Sequence, residues 1–422
     1  MKAMKKTPAE KRGVPVMAKD TALNTTGTFV YFALQWLSTI VVRYTLGFEE
    51  VAVYQLAISF CNIFGFISRF GVRNYQISDV EHRYTDGDYY AVRLASSVLA
   101  VVLFCAVLPF MGFSAHARLC CVMVLLFKLL ESVTDVLFGS FQKARRYDAI
   151  AISYSAKGVV PLVAFALCLY WVHDLMWGVV AMSAAYLLVV VCYDIPVIRR
   201  SETLVLKANA GTVKPILLAC VPLMVYTLVN PYINFVTRYA VEQNFSAREN
   251  GYYASIALIA VITTTFCGPI WSVLVPRTSK LYNEGRAADV RRLVARVSAV
   301  LAAACALILL ACKVLGAFAL GLVFGQEIVP YSYLLAPMVL ASVLMALASY
   351  YSSTLVALRG RGRMLAANVV GAVVCTAVVV PMVRFLGMVG ACWALCVGIG
   401  VQVLLLGVLL HLQLRAAARP TG

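Results

Sequence analysis

About twelve stretches of this chain are apolar enough and long enough to cross a bilayer, and lysine and arginine gather in every second connection between them. Roughly twenty apolar residues coil into a helix of about 30 Å, the thickness of the hydrocarbon core. Such stretches fall at 24–43, 51–70, 91–113, 117–138, 150–172, 176–196, 213–236, 252–275, 296–318, 331–357, 364–384 and 388–410. The N-terminal tail is basic (Lys2, Lys5, Lys6, Lys11, Arg12, Lys19). Clusters such as Lys143/Arg145/Arg146, Arg199/Arg200/Lys207, Arg291/Arg292 and Arg359/Arg361/Arg363 then alternate with connections nearly bare of lysine and arginine. By the positive-inside rule both termini lie in the cytoplasm, in a multi-pass protein of the cell membrane.

Composition agrees. A chain of 422 residues that is 62% hydrophobic and 13% charged has more apolar surface than a water-soluble core can hide. The net charge of +17 follows from basic loops facing anionic headgroups, so no nucleic-acid partner is expected. The basic tail leads into an apolar span without a small-residue cleavage site, which reads as a retained cytoplasmic tail. Thirteen cysteines sit mostly singly inside apolar spans, and His82, His116, His173 and His411 are scattered, so neither a disulfide framework nor a metal site is expected. No phosphate-cradling GxxxxGK[ST] loop is present, which excludes a nucleotide-driven motor of its own. The connections poor in basic residues are too short for a catalytic domain. The chain is therefore expected not to be an enzyme.

The two halves repeat weakly, in order. QWLSTIVVRY (Gln35 to Tyr44) matches NPYINFVTRY (Asn230 to Tyr239), and both end in Arg-Tyr. Tyr54 and Tyr252/Tyr253 open the following spans. Asp86-Gly87 precedes Val92-Arg93 at the spacing by which Glu284-Gly285 precedes Val290-Arg291, and LMWGVV from Leu175 matches GMVGAC from Gly387. Six spans per half is an even number, so the repeats enter the membrane in the same direction and are related by an axis along its normal. The expected fold is an all-α polytopic membrane protein of about twelve transmembrane helices in two pseudo-repeated six-helix bundles, V-shaped about a central cavity. The division is a basic tail (1–20), an N-terminal bundle (21–198), a linker (199–212), a C-terminal bundle (213–411) and a second tail (412–422).

Polar residues inside the spans mark where function sits. Asn24, Thr28, Tyr31, Gln35, Thr39 and Arg43 recur every three or four residues and share one face of the first helix. Tyr226, Asn230, Asn234 and Arg238 do the same on the seventh, where Pro222 and Pro231 predict a bend or break. Such stripes either hold helices together by hydrogen bonds or line a cavity, and their place on the same helix of both repeats favours a cavity wall. Lys128, Glu131 and Asp135 share a narrow arc of the fourth helix. They form either a structural ion cluster or an ion-coupling site that Lys157 is close enough to join. Arg69 and Arg73, flanking Gly71, are either interface anchors or substrate contacts.

Two six-helix repeats, the short glutamate loop before Tyr54, DGDYYAVR after the second span and GSFQKARRYD after the fourth together resemble the polysaccharide-transporter or Wzx-type flippases, within the exporter superfamily that also holds multidrug antiporters. The resemblance implies movement of an undecaprenyl-diphosphate-linked oligosaccharide to the outer leaflet by alternating access around a cationic cavity, beside other polysaccharide-assembly membrane proteins. The residues here offer Arg43, Arg238, Arg69, Arg73 and Lys128 to a diphosphate, with Asn24, Gln35, Thr39, Asn230 and Asn234 as polar wall. No cofactor is expected; coupling to a proton or sodium gradient through Glu131, Asp135 and Lys157 is open. A cation-coupled drug antiporter is the alternative, and a polysaccharide polymerase or ligase a lesser one.

Overall fold

The structure is a computed structural model that describes residues 14–79, 83–144, 146–200, 208–358 and 360–417, with the side chains of 14–24 and of much of 259–273 outside the description. Each expected span is a helix. The N-terminal set comprises α1 (Val14–Leu46), α2 (Phe48–Arg69), the short α3 (Val72–Ser78), α4 (Asp86–Val107), α5 (Ala115–Lys143), α6 (Tyr147–Val172) and α7 (Leu175–Val189). A π-turn (Val190–Asp194) carries α7 into α8 (Ile195–Arg199) as one span. The C-terminal set comprises α9 (Ala210–Glu242), α10 (Ala247–Asn283), α11 (Ala287–Phe324), α12 (Leu335–Ala357), α13 (Arg361–Leu386) and α14 (Met388–Ala417). Among the described residues ten of these are long and apolar enough to cross a membrane by length and composition alone. With α5, whose apolar stretch is interrupted by Lys128, Glu131 and Asp135, and the 37-residue α10, they make the twelve expected spans.

The helix starts are written locally. Thr85 and Asp88 form a reciprocal capping box on α4, as Ser246 and Glu249 do on α10, while Asp174 and Ser114 accept from the first turns of α7 and α5. These bonds satisfy amides that a helix end otherwise leaves open.

Among the described residues, the two largest hydrophobic cores each belong mainly to one bundle. One joins α1 to α7 through residues such as Phe60, Phe104, Phe138 and Phe165; the other joins α9 to α14 through Ile256, Met338, Leu355, Cys375 and Ile399. Outward faces are also apolar: Leu94, Val314 and Phe318 are more than two-thirds exposed, as a surface bathed in lipid requires. The bundles meet along α2, α9 and α10. At Gly251 the backbone of α10 lies so close to Phe48 that any Cβ would collide with the Phe48 carbonyl.

The prolines of the seventh span do not break its helix. α9 runs unbroken from Ala210 to Glu242 through Pro215, Pro222 and Pro231. Each proline removes one i→i−4 bond, and a helix packed between two bundles tolerates that loss. The break falls instead at Phe70 and Gly71, whose φ values of 49° and 68° are left-handed and turn the chain out of α2 into α3.

Candidate functional site

A cavity of about 330 Å³ lies between the bundles. It follows α2 from Gln55 to Arg69, about 21 Å at the helical rise. Gln35 and Thr39 of α1, Lys128 and Glu131 of α5, and Asn230, Asn234 and Arg238 of α9 complete its polar wall; Trp36, Met338, Met345 and Leu395 supply apolar surface. Polar side chains thus converge in a mostly apolar cleft at the junction of two bundles, a common setting for ligand binding. Among the described lining residues three cations (Arg69, Lys128, Arg238) face one carboxylate (Glu131).

Glu131 organises the half of the cavity nearer the basic loops. Its Oε2 accepts from Lys128 Nζ and from Arg69, both at 3.0 Å, and its Oε1 from Gln35 Nε2 at 2.7 Å and from the Tyr31 hydroxyl. Two members of the α1 stripe, Tyr31 and Gln35, are therefore held by a charge on α5. Arg69 is the member that reaches into open space: its side chain is 29% exposed, against 8% for Lys128 and 5% for Glu131.

Arg238 organises the other half. It donates to the Gln55 backbone carbonyl and, at 3.0 Å, to the Gln55 side-chain oxygen, while Gln55 donates to Thr39. Arg69 and Arg238 each retain a buried Nε–H with no acceptor among the described residues.

At the end away from the basic loops, the two Arg-Tyr pairs that the repeats share tie the bundles together as a clasp. From α1, Arg43 donates to the Phe324 carbonyl at 3.1 Å and Tyr44 to the Val323 carbonyl at 3.0 Å, both at the end of α11. From α9, Arg238 reaches Gln55 on α2, and Tyr239 donates to the Met111 carbonyl at 2.9 Å, in the turn that ends α4. Each tyrosine thus holds the end of the third span of the opposite repeat. Arg43 also stacks 3.9 Å over the Phe48 ring and stands 3.6 Å from Glu327, which accepts from Arg248 at 2.9 Å.

Several expected site residues stand elsewhere. Arg43 belongs to the clasp and does not line the cavity. Arg73 turns away, 3.6 Å from Asp135 and 3.1 Å from the Gln142 side chain. The Lys128/Glu131/Asp135 arc splits, because Asp135 pairs with Arg93 at 2.7 Å and Arg93 in turn donates to the Ser68 carbonyl at 2.8 Å. Lys157 does not join it: its ammonium is buried against Asp194 and 3.0 Å from Thr134, and Ser153 donates to Asp194 at 2.6 Å. Asn24 lies outside the described side chains. Sequence reasoning missed Gln55, Arg93 and Asp194. An acid inside the sixth span and an arginine in the first turns of the third were visible, but their partners lie on other helices.

The comparisons with known proteins bear on the same architecture. The family model described as polysaccharide biosynthesis protein matches residues 17–282. Capsular polysaccharide biosynthesis protein CapF of Staphylococcus aureus is 22% identical over 289 residues, which is 66% of this chain and 70% of CapF. Among solved structures, the inward-facing form of a multidrug resistance MATE family transporter of the MOP superfamily aligns at TM-score 0.75 and 14% identity over 95% of this chain and 96% of that one. The outward-facing form of a transporter so described aligns at 0.63 and 14% identity over 99% of each chain. A MOP superfamily transporter from Pyrococcus furiosus, for which a reverse polarity of the binding pocket is described, aligns at 0.64 and 14% identity over 98% of this chain and all of that one. These likenesses carry the fold alone, two helical bundles packed side by side. On the match over most of its length, the chain belongs to the polysaccharide biosynthesis protein family.

Proposed function

We propose that this protein is a flippase that carries an undecaprenyl-diphosphate-linked oligosaccharide from the cytoplasmic to the outer leaflet of the cell membrane, for surface polysaccharide synthesis. The observation that carries the reading is the charge of the cavity: three cations against one carboxylate, distributed along its length. A diphosphate crossing a low-dielectric region needs such partners, and arginine offers it paired donors. The cargo would enter from the basic, cytoplasmic end, meet Arg69 and Lys128 first, and pass toward Arg238. Opening the clasp would then free Arg238 and Arg43 to face the outward path, which gives the shared Arg-Tyr pairs two successive roles.

A drug antiporter would need a carboxylate free to receive an organic cation. Glu131 already has four donors on its two oxygens, so its wall does not suit that cargo. Depletion of the protein in its own cell, followed by extraction of lipid-linked sugars, tests the reading. An oligosaccharide-diphospholipid should accumulate on the inner leaflet; unchanged pools together with raised dye sensitivity would replace the flippase with the antiporter.

A further inference from the structure

A carrier that binds an anion with buried cations meets a second problem on its return stroke. Emptied, it must bring the same cations back through a closed, poorly hydrated state in which unpaired charge is costly. Glu131 is placed to meet that need. It lines the cavity beside Arg69 and Lys128, less exposed than Arg69, and both cations converge on one of its oxygens, Oε2. The other oxygen is held independently by Gln35 and Tyr31 of α1. If the two cations swing toward the cavity, the carboxylate keeps its position and half of its donors.

We propose that Glu131 is a resident counter-anion: it occupies Arg69 and Lys128 while the carrier is empty, and the phosphate of the cargo competes with it for them. This rests on the reading of the cargo as an anion, and it adds a residue that sets affinity and turnover against each other. A carboxylate that offsets part of the site's charge weakens phosphate binding and at the same time permits the empty carrier to reset. The two effects have opposite consequences for transport.

The test uses the full chain in lipid nanodiscs, with farnesyl diphosphate as probe, titrated calorimetrically, and reconstituted vesicles for net flipping of a polyprenyl-diphosphate sugar. In Glu131→Gln, which keeps partners for Tyr31 and Gln35, the probe should bind about tenfold more tightly, as expected for removing a charge competitor from two cations. Net flipping by the same variant should be several-fold slower than wild type. Unchanged or weaker binding in Glu131→Gln, with wild-type binding lost in Arg69→Gln/Lys128→Gln, would keep the anion site and overturn the competition. Failure of the probe to bind either wild type or Glu131→Gln would overturn the anionic-cargo reading itself and this inference with it. Should Glu131→Gln not insert, Lys128→Gln added to it restores the net charge of the wall. That double variant should bind the probe at least as well as wild type although it has lost a cation, and loss of binding there would refute the proposal.

Discussion

Removing the Arg43 side chain should open the end of the molecule that the clasp now ties together. Arg43→Ala deletes a charged hydrogen bond to the Phe324 carbonyl across the bundles, contributing about 1.5–3 kcal/mol, whereas its stack on Phe48 lies within one bundle and does not bear on closure. The Glu327 pair adds at most about 1 kcal/mol, because Glu327 is 48% exposed and solvent screens it. These contributions share one guanidinium and are not additive, so a shift of about 2–3 kcal/mol is expected, or about 30- to 160-fold in the ratio of open to closed molecules. Glu327→Gln should shift the ratio by only about a factor of two to five. Spin labels at Phe110 and Phe385, both exposed near this end on opposite bundles, report the separation once the thirteen native cysteines are replaced. A long-distance population should emerge in Arg43→Ala and grow in Arg43→Ala/Arg238→Ala, with Arg43→Lys between wild type and alanine. Distance distributions identical to wild type in the double variant would refute the clasp and leave Arg43 as an interface anchor.

Other expectations follow from pairs that lie off the cavity. Asp194→Asn should strip Lys157 of its counter-charge in a fully buried site and cost about 3–5 kcal/mol, read as a large fall in thermal midpoint in detergent, whereas Lys157→Met/Asp194→Leu should recover much of it. A double variant as unstable as the single would point to a role beyond pairing. Asp135→Asn should weaken the joint of α2, α4 and α5 through Arg93 yet leave diphosphate affinity within about twofold; a tenfold loss of affinity would return Asp135 to the site. Cysteines placed at Ser201, Asn283 and Gly362 should react with impermeant thiol reagents only after the inner face is exposed, and labelling in intact cells would reverse the topology at that loop.

Much of this architecture was legible because lipid imposes a narrow rule: backbone polar groups must be satisfied within helices, and helices must be long and apolar. That rule gives twelve spans and, with the matched Arg-Tyr pairs, two repeats. The stripes of α1 and α9 pointed to the wall because a three-to-four-residue period fixes a face, and Gln35, Thr39, Asn230, Asn234 and Arg238 do line it. Pairing was not legible in the same way. Lys128, Glu131 and Asp135 are neighbours on one helix, but α5 touches α1 and α2 on one side and α4 on another, and partners divided the arc between Arg69 and Arg93. Lys157 was drawn away by Asp194, which a local π-turn places in the same interior. Arg43 and Arg238 hold matching places in the repeats and both cross to the opposite bundle. One ends outside the cavity and the other within it, because α2 contributes Gln55 to Arg238 while the end of α11 meets Arg43.

The cationic cavity is tested most directly in vesicles of purified full-length protein carrying a fluorescent polyprenyl-diphosphate oligosaccharide in one leaflet, with quencher added to the other. Wild type should exchange the lipid between leaflets, and the triple variant Arg69→Gln, Lys128→Gln, Arg238→Gln, present in the membrane at equal amount, should exchange it no faster than protein-free vesicles. Exchange by the triple variant at the wild-type rate would contradict the account.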